Sequence, residues 1–271
     1  MITDVCQRWR ERRTSYRPAG EVIDPRRYEV APIATDTEAR AFVLAHHYSG
    51  AYPAARRRVG LYQGAALVGV AVFSVPAQAR ALDVLPCDRA EAVELGRLVL
   101  LDGVPGNGES WFVARALDLL RADGFAGVLS YSDPVPRHTA DGTLVKPGHR
   151  GVIYQALSAV YTGRATPRSL WLLPNGTVFS DRALSKLRAG ERGWRYAVAQ
   201  LVAAGAASPA AGEDLGTWAR CELARIGRRQ RHPGNHRYLL PLSRACRRAL
   251  PVHLERRGLA SLPYPRVVDA A

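Results

Sequence analysis

The sequence predicts an α/β protein: a mixed central sheet flanked by helices, with a basic N-terminal arm and a basic C-terminal extension. Three observations predict it. Ala66-Leu-Val-Gly-Val-Ala-Val-Phe-Ser-Val75 is apolar on both faces, as a strand in the middle of a covered sheet must be. A second apolar run, Val93 to Leu101, leads through the glycine- and proline-rich Asp102–Glu109 into Ser110–Ala122, where Phe112, Ala116, Leu119 and Leu120 recur at helical spacing. The 271 residues are 47% hydrophobic, enough to bury a core in one large domain or a domain with appendages.

The elements follow in order. Residues 1–27 are basic and lack an apolar period, which suits an arm or a capping helix. Tyr28 to Ile33 reads as a short strand. Thr35-Asp-Thr-Glu38 is a capping box, opening a helix with Ala39, Phe42 and Val43 on one face and a stop at Ser49-Gly50. Arg58–Tyr62 and Ala66–Val75 flank the turn at Gln63-Gly64. Gly127 to Tyr131 is a buried strand ending at Ser132-Asp133-Pro134. The chain then reads as irregular to Gly148. Val152 to Val160 predicts a helix, and Leu170–Leu173 with Thr177–Phe179 a hairpin about Asn175-Gly176. Asp181–Ala189 predicts a short basic helix, and Ala203–Gly212 a low-complexity linker. From Trp218 to Arg248 come a basic helix, a turn and a strand at Tyr238–Leu242. The expected division is therefore an arm over 1–27, a catalytic core over 28–202, a linker over 203–217 and a basic segment over 218–271 that packs on or extends the core.

The net charge is +14, and Lys146 and Lys186 are the only lysines. Arginine keeps its charge, and its planar fork suits phosphate oxygens, so the balance points to a polyanionic partner. A compositional arginine bias on a plain basic surface is the competing reading. Nine arginines (Arg220, Arg225, Arg228, Arg229, Arg231, Arg237, Arg244, Arg247, Arg248) face the single acid Glu222 between Trp218 and Arg248. Trp218, His236 and Tyr238 are interleaved with them. Arginine for phosphate and aromatics for bases is a nucleic-acid pattern, with Arg228, Arg229, Arg231, His236, Arg237 and Tyr238 as candidates; a solvated basic helix is the alternative. No apolar run reaches the ~18 residues of a membrane span, and the N-terminus lacks the apolar stretch of a secretory signal. A soluble protein of the bacterial cytoplasm is expected. Cys6, Cys87, Cys221 and Cys246 are scattered without metal-ligand spacing and read as reduced thiols.

Loop-like positions carry the candidate chemistry. His46-His47-Tyr48-Ser49 ends the first helix, where histidine can move protons or bind a metal; a core histidine beside a helix-capping one is the structural alternative. Asp133 lies at the C-terminal end of a buried strand, where ligands of open sheets gather, although Asp before Pro also forms turns. Gly148-His-Arg-Gly-Val-Ile-Tyr-Gln-Ala156 opens the following helix and places Tyr154 in its first turns. Gly106, Asn107, Gly108, Glu109 and Ser110 open the helix after the glycine loop, where main-chain N–H groups suit an anion; an unliganded turn explains the loop equally.

The order of strand, helix, hairpin, strand, glycine loop, helix, strand resembles the GNAT acyltransferase fold, in which that loop faces a cofactor pyrophosphate. Here the loop lacks the usual basic and small residues between its glycines. The set His46-His-Tyr-Ser49, Glu94-Leu-Gly-Arg-Leu98, Asn107-Gly-Glu-Ser110, Ser130-Tyr-Ser-Asp-Pro134, Gly148–Ala156 and Tyr161-Thr-Gly163, with Asn235-His-Arg-Tyr238 near the end, resembles the Mom family of phage DNA-modification proteins. The resemblance implies a GNAT-like transferase that adds a carbamoylmethyl (acetamido) group to the exocyclic amine of DNA adenine and so protects phage DNA from restriction. It implies His47, Tyr48, Asp133 and Tyr154 as catalytic residues, with His47, Tyr48 and Asp133 as ligands of a bound iron. It also implies DNA and a small donor, acetyl-CoA or a relative, as partners. An ordinary acyl-CoA-dependent N-acyltransferase acting on a small amine, an aminoacyl group or a protein is the alternative. The stretch between Pro134 and His149 departs from the family's short connection; it is expected to serve as a lid, a DNA contact or a specificity element, with His138 and Asp141 near the site. The oligomeric state is left open, with a dimer among the options.

Overall fold

The computed structural model describes residues 5–11, 13–18 and 20–266. The first half of the chain alternates strands and helices: β1 (Val5–Arg10), β2 (Arg13–Pro18), β3 (Glu29–Pro32), α1 (Asp36–His46), β4 (Ala55–Gln63), β5 (Ala66–Ser74), β6 (Ala92–Leu100), α2 (Gly108–Ala122) and β7 (Gly127–Ser132). The rest runs β8 (Arg137–His138), β9 (Leu144–Lys146), α3 (Val152–Ala156), β10 (Val160–Arg164), β11 (Arg168–Leu172), β12 (Val178–Phe179), α4 (Asp181–Ala189), α5 (Arg195–Ala203), α6 (Leu215–Ile226), β13 (Arg228–His232), β14 (His236–Pro241) and α7 (Arg244–Arg256).

These elements form two compact units. The first holds residues 1–134, 149–165 and 235–271; the second holds 135–148 and 166–234. This differs from the linear division expected from the sequence. The chain leaves the first unit after β10 and returns to it at β14, and those two strands are paired neighbours.

The first unit is built on a seven-stranded sheet in the order β10-β14-β7-β6-β5-β4-β3. Only β6 and β7 run parallel; every other pair in it is antiparallel. The alternation of side chains along a strand sorts the core. Ala71, Phe73, Val93, Leu95, Val128, Tyr238 and Leu240 meet Phe112, Val113, Ala116, Leu117 and Leu120 of α2 on one face. On the other face Val70, Val72 and Val99 meet Ala39 and Val43 of α1, while Leu129 and Leu239 meet Cys246, Leu250 and Leu254 of α7. The mixed sheet between helices is the expected fold class.

Several local expectations are corrected. Strands β1 and β2 pair antiparallel, where a plain arm or helix was expected. The Thr35 side chain makes no capping bond; Asp36 beside it instead accepts from Arg58 and Tyr52. Helix α3 stops at Ala156, because Ser158 turns to φ 55° and sends the chain into β10.

The second unit packs α4, α5 and α6 against the three-stranded sheet β12-β11-β13. The stretch read as irregular, 135–148, forms the hairpin β8–β9 and belongs to this unit. The Ala140 N–H donates to the Pro174 carbonyl at 2.7 Å, and Arg228 donates to the His138 carbonyl at 3.2 Å. No helix among the described residues is long and apolar enough to cross a membrane.

Candidate active site

The site is set by where parallel pairing stops. β6 and β7 pair only over Ala92–Glu94 against Gly127–Leu129. Beyond that point β6 continues along β5, and β7 along β14, so a wedge opens between them. The Ser130 hydroxyl spans its start, donating to the Leu95 carbonyl at 3.4 Å.

Gly96 shapes one wall. Against β5, Leu95 pairs with Phe73 and Arg97 with Val72, which leaves Gly96 as an extra, bulged residue. A Cβ there would stand 2.5 Å from Ser74 Oγ. The bulge turns Glu94 and Arg97 to the same face. Arg97 donates to the carbonyls of Ala51 (2.9 Å) and Gly96 (2.6 Å). Burial raises the Glu94 carboxyl above its ordinary value, against the opposing attraction of Arg97. Burial likewise lowers Arg97, whose charge is favoured by Tyr48 and Glu94.

α1 delivers the aromatic pair. His47 caps the helix, its N–H bonded to the Val43 carbonyl at 2.9 Å, and its extended backbone turns the chain away. The ring is buried. Its Nδ1 accepts the Ser49 N–H at 3.1 Å, which in the neutral ring leaves the proton on Nε2. Tyr48 lies between His47 and Trp9, with ring centroids 4.3 and 4.6 Å away.

Tyr154 enters from α3. Gly151, at φ 70°, lets the helix start against it: a Cβ at that position would stand 2.6 Å from the Tyr154 ring and 2.8 Å from Tyr238. Burial pushes the Tyr154 phenol up to about 12; the hydrogen bond with Ser130 opposes this, and Tyr48 and Glu94 add to it. Asp133 is buried just beyond β7, and its carbonyl accepts the His149 N–H at 2.9 Å, tying the strand end to the approach of α3.

The structure thus brings Tyr48 and Tyr154 into one electrostatic neighbourhood with Glu94 and Arg97, with His47 stacked on Tyr48. Asp133 follows on the strand that carries Ser130. Sequence reasoning assigned no role to Glu94, Arg97, Ser130 or Trp9. The signal for the first two was available: a carboxylate and a guanidinium inside a strand that otherwise reads as buried.

The glycine loop is engaged by the chain itself. The Gly106 N–H donates to the Glu21 carboxylate at 3.0 Å, and the Ile23 N–H donates to Asn107 Oδ1 at 2.8 Å. Arg8, only 1% exposed, pairs with Glu109 and donates to the Pro105 carbonyl at 2.6 Å. The Gly108 N–H bonds the Pro105 carbonyl, and Ser110 Oγ donates to the Asn107 carbonyl. Of the loop's main-chain N–H groups, that of Gly106 is thus taken by the Glu21 carboxylate.

Nothing among the described residues supports the iron expected on His47, Tyr48 and Asp133. Among the described residues no three His, Cys, Asp or Glu side chains are grouped to hold a metal ion.

The basic segment divides between the two units. In the second, Arg228, Arg229 and Arg231 are exposed on β13, with Arg229 4.9 Å over the Trp171 ring. In the first, Tyr238 is fully buried, its hydroxyl bonded to the Arg150 carbonyl, so it has no face to offer a base. Arg237 is half-buried and donates to Thr162 Oγ1 at 2.7 Å, and His236 is buried against Tyr161. Trp218 is a core residue of the second unit, donating to the Ala207 carbonyl at 3.1 Å.

No match is found among curated proteins. Among solved structures, a tandem GNAT protein from the clavulanic acid biosynthesis pathway, without AcCoA, is similar at 12% identity over 80% of this chain and 99% of that one, with a TM-score of 0.42. The Mom protein family profile matches residues 27–266, which span every element from β3 to α7, and the chain belongs to that family.

Proposed function

We propose that this protein is a DNA-modifying transferase that adds a carbamoylmethyl group to the exocyclic amine of adenine, shielding phage DNA from restriction. The observation that carries the reading is the family match over residues 27–266. The wedge supports it with a set of groups suited to the chemistry.

The target adenine leaves the base stack, since its amine cannot be fully approached inside a duplex. That amine is conjugated to the ring and is a weak nucleophile, so it must be positioned and must lose a proton as the new N–C bond forms. Asp133 orients the amine. Glu94, made more basic by burial, accepts the proton. Tyr48 and Tyr154 supply hydroxyls, and His47 holds Tyr48 by stacking. The atom joined to nitrogen is a saturated carbon, so the donor is a small molecule with a leaving group on such a carbon; plain acetyl transfer from acetyl-CoA would leave an amide instead. Arg228, Arg229 and Arg231 serve as phosphate contacts for DNA.

Restriction digestion tests this reading. DNA from expressing cells resists nucleases whose sites contain adenine, and DNA from cells expressing Asp133→Ala is cut normally. Calorimetry with CoA tests the acyltransferase alternative. Tight CoA binding at the glycine loop, strengthened by Glu21→Ala and unaccompanied by any change in DNA, overturns the proposal in favour of an ordinary N-acyltransferase.

A further inference from the structure

Two motifs have no part in the adenine chemistry above: Tyr161-Thr-Gly163 on β10 and Asn235-His-Arg-Tyr238 leading into β14. They pair at the sheet's β10 edge, Tyr161 opposite Tyr238 and Arg164 opposite His236. The register shifts between Tyr161 and Arg164, at Gly163 with φ 83°. The C-terminal strap lies along this edge: the Leu262 N–H donates to the Tyr161 carbonyl at 2.9 Å, and the Tyr264 hydroxyl donates to the Ala159 carbonyl at 2.9 Å. Gly163 makes room for it, because a Cβ there would stand 3.3 Å from Leu262.

Strap and edge line an open pocket of about 480 Å³, within the usual range for small-ligand sites. Tyr161 and His236, both more than nine-tenths buried, line it and are joined by a 2.8 Å hydrogen bond between Oη and Nδ1. Arg164 and Arg266 bring two exposed guanidinium groups, and Tyr264, 38% exposed, brings an aromatic ring between Pro263 and Pro265. None of its described lining residues is acidic. Two arginine forks select phosphate, and a half-exposed phenol ring held by its hydroxyl and flanked by prolines selects a planar base.

We propose that this edge cavity is a nucleotide-binding site, separate from the adenine-modifying wedge, with the phosphate on Arg164 and Arg266 and the base against Tyr264. The nucleotide comes either free or as one residue of a DNA strand. Both sources share this chemistry.

Binding measurements on the full chain decide it, with Arg164→Gln/Arg266→Gln as the variant. Thermal melts establish that the variant is folded, and Arg164→Gln alone is the second variant should the double one melt early. The probes are the four deoxynucleoside monophosphates, inorganic phosphate, deoxyadenosine and a labelled single-stranded oligonucleotide. At least one monophosphate binds the parent roughly tenfold or more tightly than phosphate or the nucleoside does, and the variant loses that margin. If the source is a strand, the oligonucleotide binds more tightly still, and its salt slope falls in the variant by about 0.7 per lost phosphate contact. If the source is a free nucleotide, the oligonucleotide gains nothing. Equal binding by parent and variant overturns the proposal, as does phosphate binding as well as every monophosphate. Nucleotide binding that survives the variant but is lost on Tyr154→Phe belongs to the wedge; it sinks this site while leaving the adenine chemistry standing.

Discussion

Glu94 and Arg97 stand in a strand whose neighbours are apolar, and burial disfavours the charge on both. For Glu94 this links stability to pH. Its folded-state value lies above the ordinary 4.5, so the folded protein holds this proton more tightly than the unfolded chain does. Below 4.5 both states are protonated and there is no penalty. As pH rises through the raised value the folded state loses stability. Glu94→Gln therefore melts higher than the parent at pH 7, and the gain vanishes in thermal melts below the ordinary value; an equal gain at both pH values would contradict a half-buried, titrating carboxylate. Modification activity falls in the same variant by about a hundredfold or more if Glu94 takes the proton. A second residue-scale expectation concerns Gly151. An alanine there must adopt φ 70° and place its Cβ 2.6 Å from the Tyr154 ring. The backbone strain alone costs about 1–3 kcal/mol. Gly151→Ala should thus lower the denaturant midpoint and displace Tyr154 together.

At the scale of elements, the helices and hairpins were legible wherever their signals are local. Helix α4 occupies the predicted Asp181–Ala189, capped by Ser180. β4 and β5 meet about the predicted turn at Gln63-Gly64. The N-terminal hairpin was not legible, because its anchor is an arginine. Arg8 reads as a surface charge in any hydropathy pattern, yet it is buried with its donors on Val104, Pro105 and Glu109, far along the chain. The bulge at Gly96 was hidden for a related reason: it exists only in the register with β5. Arg8→Met tests the hairpin's role. Removing one partner of a buried pair costs roughly 3 kcal/mol, and without it the hairpin should release the loop, seen as faster amide hydrogen exchange over residues 102–110. Unchanged protection there would show that Glu21 and Ile23 hold the loop alone.

At the scale of the molecule, sequence reading found the fold class but divided the chain in a line. Two features defeat a linear division. The second unit is inserted between two paired strands, β10 and β14, and it also recruits residues 135–148 from far upstream. The nine arginines near the C-terminus therefore read as one docking segment but belong to two bodies. In the sequence His236 and Tyr238 read as aromatics for bases, and both are buried. Of the groups gathered about the wedge, local motifs mark His47, Tyr48, Asp133 and Tyr154. Its charged members needed the splay of β6 from β7, a property of the whole sheet.

On the proposed reading, the wedge of the first unit modifies adenine in DNA. Nucleoside mass spectrometry of DNA from cells expressing the parent, Asp133→Asn or Tyr154→Phe tests it most directly, with each protein confirmed folded and abundant. The parent should yield deoxyadenosine carrying one carbamoylmethyl group, and the two variants little or none. Unmodified deoxyadenosine alone from the parent, or equal modification from all three, would contradict the account.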